Sequence, residues 1–255
     1  MKINGYDINY DEAELKDKME NQTLDVRLIS PDFEGYKNLS EGNKKALTHL
    51  VAAARMVNDV ALEQDHPMNL PQKKALAEAA AAGSSHAALA LELFNSLNGV
   101  AGYNGVDKEP VEVFAGIRLL PGHNFYPADL SPEEFRQILI AMLKAGKSEE
   151  VRKILSARTM VRRAGGELKA IDYTEYFAAA FSAIANELEV AAHYADDEAF
   201  KDYLGWQAQA LLQNNPDMDM LADRHWAVLQ DTSLEFTLSL SLIHISEPTR
   251  RVVIS

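Results

Sequence analysis

Pro121-Gly122-His123-Asn124-Phe125-Tyr126-Pro127-Ala128-Asp129-Leu130-Ser131-Pro132-Glu133-Glu134-Phe135 is the stretch whose reading decides the fold. It reads as a proline-bearing loop that feeds a capped helix. Phe125 and Tyr126 are adjacent aromatics able to anchor the loop in a core. Asn124 and Asp129 suit the side-chain-to-backbone bonds that fix turns. Ser131-Pro132-Glu133-Glu134 is a capping box with proline at the first helical position. The helix it starts should end at Gly146, a glycine of the C-cap type.

Upstream the pattern is helical. Asp11 to Gln22 suits a short helix. Ser40 is a good N-cap, and Leu47, Leu50, Val51, Ala54, Val57, Val60 and Ala61 form one apolar face behind it. Pro71 opens an alanine-rich helical run to Leu97, with a break expected at Gly83-Ser84. Leu76, Ala80, Ala87, Leu91 and Phe94 suit close helix packing. Asn98 to Asn124 carries five glycines and two prolines, and reads as a long irregular loop. Connections of this length are functional or hide short elements, and Val111-Glu112-Val113-Phe114 suits a strand.

Downstream, Ser148 begins a helix reaching Ala157, and Gly165-Gly166 marks a turn and a candidate subdomain boundary. A long helix is expected from Thr174 to His193, with Phe177, Phe181, Ile184, Leu188 and Ala191 on one face. Asp196 or Asp197 caps the next, and Asp217 to Leu229 suits one more. Then the period changes to two. Leu234, Phe236 and Leu238 alternate with polar residues, as in a half-buried strand. No convincing partner lies upstream, and a single strand cannot stabilise itself.

The composition narrows the function. Thirty-eight acidic and 25 basic side chains leave a net charge of −13 over 255 residues. Such a surface repels phosphate backbones and anionic membranes, so neither nucleic acid nor membrane is an expected partner. Cysteine is absent, which removes disulfides, thiolate metal sites and cysteine nucleophiles. The polar start, Met1 to Glu20, is unlike a signal peptide, and no run is apolar enough to span a bilayer. A bacterial cytoplasm is the simplest location.

Catalytic motifs are missing. Of His49, His66, His86, His123, His193, His225 and His244, none precedes a glutamate and no two lie a helical turn apart, as a helical zinc site requires. There is no nucleophile elbow and no Ser-x-x-Lys pair at a credible helix start. Gly99-x-x-Gly102-x-x-Gly105 reads as a flexible loop. Asp217, Asp219 and Asp223 lack the central glycine and closing glutamate of a calcium loop. Glu133-Glu134 and Glu149-Glu150 are explained by helix dipoles, as is His193 near a helix end. Arg162-Arg163 is a basic island suited to pairing with nearby acids. No catalytic, substrate-binding or metal-binding residue is therefore assigned.

Asn124-Phe125-Tyr126-Pro127-x-Asp129, followed by Glu134-Phe135, resembles a segment of the dipeptidyl-peptidase III family of zinc peptidases, in the divergent bacterial and plant Nudix-fused branch. Leu39-Ser40 with its helix, Met160-Val161-Arg162-Arg163, Tyr173, Tyr176, and Leu212 to Leu229 with Asp217, Asp219 and Trp226 resemble further segments in the same order. The resemblance covers Leu28 to Ser239. It implies a two-lobed exopeptidase that releases dipeptides from peptide N-termini. It also implies a zinc ion held by two histidines of a His-Glu motif and a downstream glutamate, with a second glutamate activating water. None of these residues has a counterpart here. The family's peptide-anchoring Glu-x-Tyr segment would follow the strand at Leu234 to Leu238.

At that point Leu240-Ser241-Leu242-Ile243-His244-Ile245-Ser246-Glu247-Pro248-Thr249-Arg250 resembles the translation of a sequencing adapter, with Arg251 to Ser255 as further read-through. Residues 240–255 are then non-native. The expected organisation is a lead-in at 1–27, a helical region at 28–164 with its long loop at 98–124, and a second helical unit with a first strand at 165–239. The expected fold is mainly α, becoming α+β in the full-length parent, with one strand near 232–239 lacking its sheet partners and a C-terminal lobe missing. The expected function is the N-terminal part of a dipeptidyl-peptidase III-like metallohydrolase. This part should be inactive and carry no cofactor, with zinc and peptides belonging to the parent. The alternative is a non-catalytic helical binding or scaffold module.

Overall fold

The structure is a computed structural model describing residues 1–21, 31–106 and 108–238, and the backbone of 251–254. The adapter reading at 240–250 and the division near Leu28 lie outside the described residues. In chain order the elements are β1 (Lys2–Ile3), β2 (Tyr6–Asp7), α1 (Glu12–Asn21), α2 (Glu34–Lys37), α3 (Glu41–Asp65), α4 (Asn69–Ala81), α5 (Ser85–Leu97), β3 (Ala101–Tyr103) and β4 (Pro110–Glu112). There follow α6 (Pro132–Lys144), α7 (Ser148–Ile154), β5 (Thr159–Ala164), β6 (Glu167–Asp172), α8 (Tyr173–Tyr176), α9 (Ala178–Tyr194), α10 (Glu198–Leu212), α11 (Pro216–Ala227), β7 (Leu234–Thr237) and β8 (Arg251–Ile254). Helices make up 58% of the described residues, so the fold is mainly α with a few short strands.

Two compact units emerge. The first joins Met1–Arg27 to Leu62–Ala128, and the second joins Leu28–Ala61 to Asp129–Ser255. In the first unit, α1 opens with a reciprocal cap. Asp11 Oδ1 accepts from the Ala13 and Glu14 amides, while Glu14 returns a carboxylate to the Asp11 amide. Leu15, Leu76, Leu93, Phe94 and Phe114 fill the core, with Ile3 and Ile8 from the N-terminal hairpin. Asn69 is fully buried. Its amide donates to the Leu62 carbonyl at 2.9 Å and accepts from the Val100 N–H at 2.8 Å. One side chain thereby completes a helix end and a loop, each of which would otherwise leave a costly orphan.

This unit corrects two expectations. Pro71 does not open a helix, because α4 starts two residues earlier, at Asn69, which holds that turn through its buried bonds. The glycine-rich stretch is not a plain flexible loop: β3 and β4 pair antiparallel within it, with Gly102 opposite Val111. Gly99 sits in a tight contact, since a Cβ there would lie 3.2 Å from Asn69 Oδ1. The break at Gly83-Ser84 is present, with Ser84 Oγ capping α5 at the Ala87 amide.

In the second unit, the anticipated face of α9 is buried through Phe181, Ile184, Leu188 and Ala191, alongside Phe200, Tyr203 and Leu204 of α10. The long helix expected from Thr174 is two pieces, because Phe177 leaves helical geometry between α8 and α9. Met160 to Arg163 forms β5 of an antiparallel hairpin with β6. Gly165 and Gly166 make its two-residue turn, both at positive φ, as a primed turn requires. The strand at Leu234 does not lack a partner: β7 pairs antiparallel with β8, from Leu234 opposite Ile254 to Thr237 opposite Arg251. An unpaired ladder draws in any extended segment that can satisfy it, and a Val-Val-Ile run is such a segment.

Candidate functional site

In the first unit, residues 121–128 dock on the C-terminal turn of α3. The Asn124 backbone amide donates to the Gln64 carbonyl at 2.8 Å, and its side-chain amide donates to the Glu63 carbonyl at 2.7 Å. These are among the carbonyls that a helix end leaves without partners, so Asn124 acts as a cap supplied from a distant loop. His123 adopts φ +48°, and its Nδ1 lies 2.6 Å from Asp65 Oδ1. That bond raises the imidazole above its ordinary pKa. Burial lowers the neighbouring His66, whose Nδ1 accepts from the Met68 amide. Phe125 is buried with its edge towards His123, and burial raises the Tyr126 phenol. The aromatic pair thus anchors the loop.

The basic island resolves into two jobs within the second unit. Arg163 reaches Asp129 at 3.0 Å and Glu134 through two nitrogens at 2.8 and 2.9 Å, a fork on a carboxylate. Its guanidinium holds both carboxyls below their ordinary range. Glu134 therefore does more than complement a helix dipole: it ties the start of α6 to β5. Arg162 stacks over Tyr176 and donates to its hydroxyl at 3.1 Å.

An open groove of about 610 Å³ lies beside β7 in this unit, lined by Trp226, Leu229, Asp231, Thr232, Ser233 and Glu235. Trp226 is 41% exposed, and Asp231 sits at φ +55° in the turn that leads into β7. An exposed indole beside carboxylates suits a ligand with a cationic and an apolar part. In the sequence the groove is legible only through the turn residues Asp231-Thr232-Ser233, placed ahead of an alternating strand. Of the acids weighed for calcium, Asp219 instead forms an ion pair with Arg158.

Among the described residues, no group of three or more histidine or acidic side chains is placed to hold a metal ion. The histidines are each occupied singly. His49 binds Glu187 at 2.7 Å, His86 binds the Tyr10 carbonyl, His193 meets Tyr194 edge-on and His225 stacks on Trp206. His244 lies outside the described residues.

No protein-family model and no curated protein matches the chain. Two solved structures do. One, dipeptidyl-peptidase III from Caldithrix abyssi, is 28% identical with a TM-score of 0.64, over 78% of this chain and 36% of that one. The other, dipeptidyl-peptidase III from Corallococcus sp. strain EGB, is 21% identical with a TM-score of 0.67, over 88% and 39%. This chain therefore spans a little over a third of the length of each. No described helix is long and apolar enough to cross a membrane. The two helical units thus have a fold like that of one part of dipeptidyl-peptidase III.

Proposed function

We propose that this chain is the N-terminal part of a dipeptidyl-peptidase III-like zinc peptidase. It supplies helical scaffold and the first strand of the peptide-binding region, while zinc and its ligands belong to sequence outside it. The observation that carries this reading is the likeness to the Caldithrix abyssi enzyme over 78% of the chain at 28% identity. The groove beside β7 supports it. Asp231 and Glu235 offer carboxylates to a peptide's terminal ammonium, and Trp226 offers a face to an apolar side chain. On this reading the chain alone releases no dipeptides, since the zinc ligands and the water-activating glutamate belong to sequence outside it.

The decisive experiment has two arms. The 255-residue chain, incubated with zinc, should retain no stoichiometric metal after gel filtration and release nothing from a dipeptidyl arylamide. Extending the reading frame past Ser239 should reveal a His-Glu helix motif, and that longer protein should release dipeptides when loaded with zinc. Dipeptide release by the 255-residue chain would overturn the assignment of catalysis to the remainder. A longer frame without the motif would favour a non-catalytic helical scaffold instead.

A further inference from the structure

A second, more enclosed cavity of about 230 Å³ lies within the second unit, between β7's far end and helices α10 and α11. At about 30 Å³ per water it has room for a ligand of roughly eight non-hydrogen atoms, the size of one amino acid rather than a peptide. Its floor is apolar, from Phe181, Leu211 and Leu238. Its polar groups carry both signs of charge. Arg158 donates from Nε to Asn214 at 2.9 Å and from Nη1 to Asp219, which leaves Nη2 without a hydrogen bond among the described residues. Asp223, whose side chain is exposed to solvent, also lines the cavity.

The local field is polarised to match. Burial pushes the Tyr203 phenol up, its hydrogen bond with Gln207 of the cavity wall opposes this, and the carboxylates of Asp223 and Glu235 add smaller upward pushes. Asp223 thus brings a negative charge to the cavity wall, while Arg158 keeps a free donor edge. Small apolar pockets with a few convergent polar groups are the usual form of a small-molecule site.

We propose that this cavity binds a free amino acid with an aliphatic side chain, its carboxylate on Arg158, its ammonium on Asp223 and its side chain among Phe181, Leu211 and Leu238. The assignment uses residues on α9, α10, α11 and the β5 approach, and does not depend on the peptidase reading.

Titration calorimetry of the 255-residue chain with L-leucine tests it. Leucine should bind saturably, one molecule per chain. L-leucinamide, lacking the carboxylate, and 4-methylpentanoate, lacking the ammonium, should each bind about tenfold more weakly or worse, since each leaves a charged group unmatched. Asp223→Asn should weaken leucine by about tenfold and leave 4-methylpentanoate unchanged. Ala210→Phe, which fills the cavity, should abolish binding while circular dichroism stays that of the parent chain. Absence of saturable leucine binding at millimolar concentration overturns the proposal, as does equal binding of the three ligands. If Ala210→Phe does not fold, the ligand series on the unaltered chain still decides.

Discussion

Two histidines that flank Asp65 respond to pH in opposite senses. His123 is held above its ordinary pKa by the bond to Asp65. Its contribution is complete below about pH 6.5 and fades as pH rises through the raised value. Burial holds His66 below its ordinary pKa, and its ring must be neutral to accept from the Met68 amide. Its contribution is complete above about pH 6.5 and is lost as acid charges the ring. His123→Gln should therefore destabilise the chain more at pH 6 than at pH 8. Because the side chain is half exposed, screening limits the difference to about 0.5 kcal/mol. His66→Gln should instead flatten the loss of stability between pH 7.5 and 5.5. Urea midpoints at four pH values check both, and parallel pH profiles for the two variants would contradict the assignment.

At the scale of elements, contact between backbones decides what helix propensity cannot. Gly42 lies in the first turn of α3, where a Cβ would stand 2.7 Å from the Tyr194 carbonyl and 2.8 Å from Asp196 Oδ1. Asn43 accepts from the Asp196 amide beside it, so the start of α3 is fastened to the chain between α9 and α10. Gly42→Ala should cost about 1–3 kcal/mol through overpacking, although alanine is the better helix former by about 1 kcal/mol. Gly205, inside α10, has nothing within 4 Å of its Cβ position. Gly205→Ala should therefore stabilise by up to about 1 kcal/mol. Chemical denaturation of the pair provides the measurement, and changes of the same sign would refute this reading of α3.

For the molecule as a whole, β7 is the exposed question. Leu234 and Phe236 are buried, and the strand's ladder is completed by β8. Stopping the chain at Leu238 should leave that ladder open and promote self-association, seen as a concentration-dependent mass by light scattering. A monomer with unchanged amide protection at 234–237 would show that β8 contributes nothing. The sequence by itself determined the mainly helical character, the caps at Ser40 and Ser131, a cap at Asp196 or Asp197, the break at Gly83-Ser84, the buried face of α9 and the strand at β7. These follow from forces acting over one or two turns of chain: side-chain caps, periodic burial, and the steric demands of glycine and proline. Only the tertiary structure decided that Arg163 joins Asp129 to Glu134, that Asn124 and Asn69 complete distant backbone, that β5 pairs with β6 and β7 with β8, and that Arg158 and Asp223 share one cavity. The reason is physical. A partner dozens of residues away is selected by loop closure and by the cost of leaving a buried polar group unpaired, and neither quantity is written in any local window of sequence.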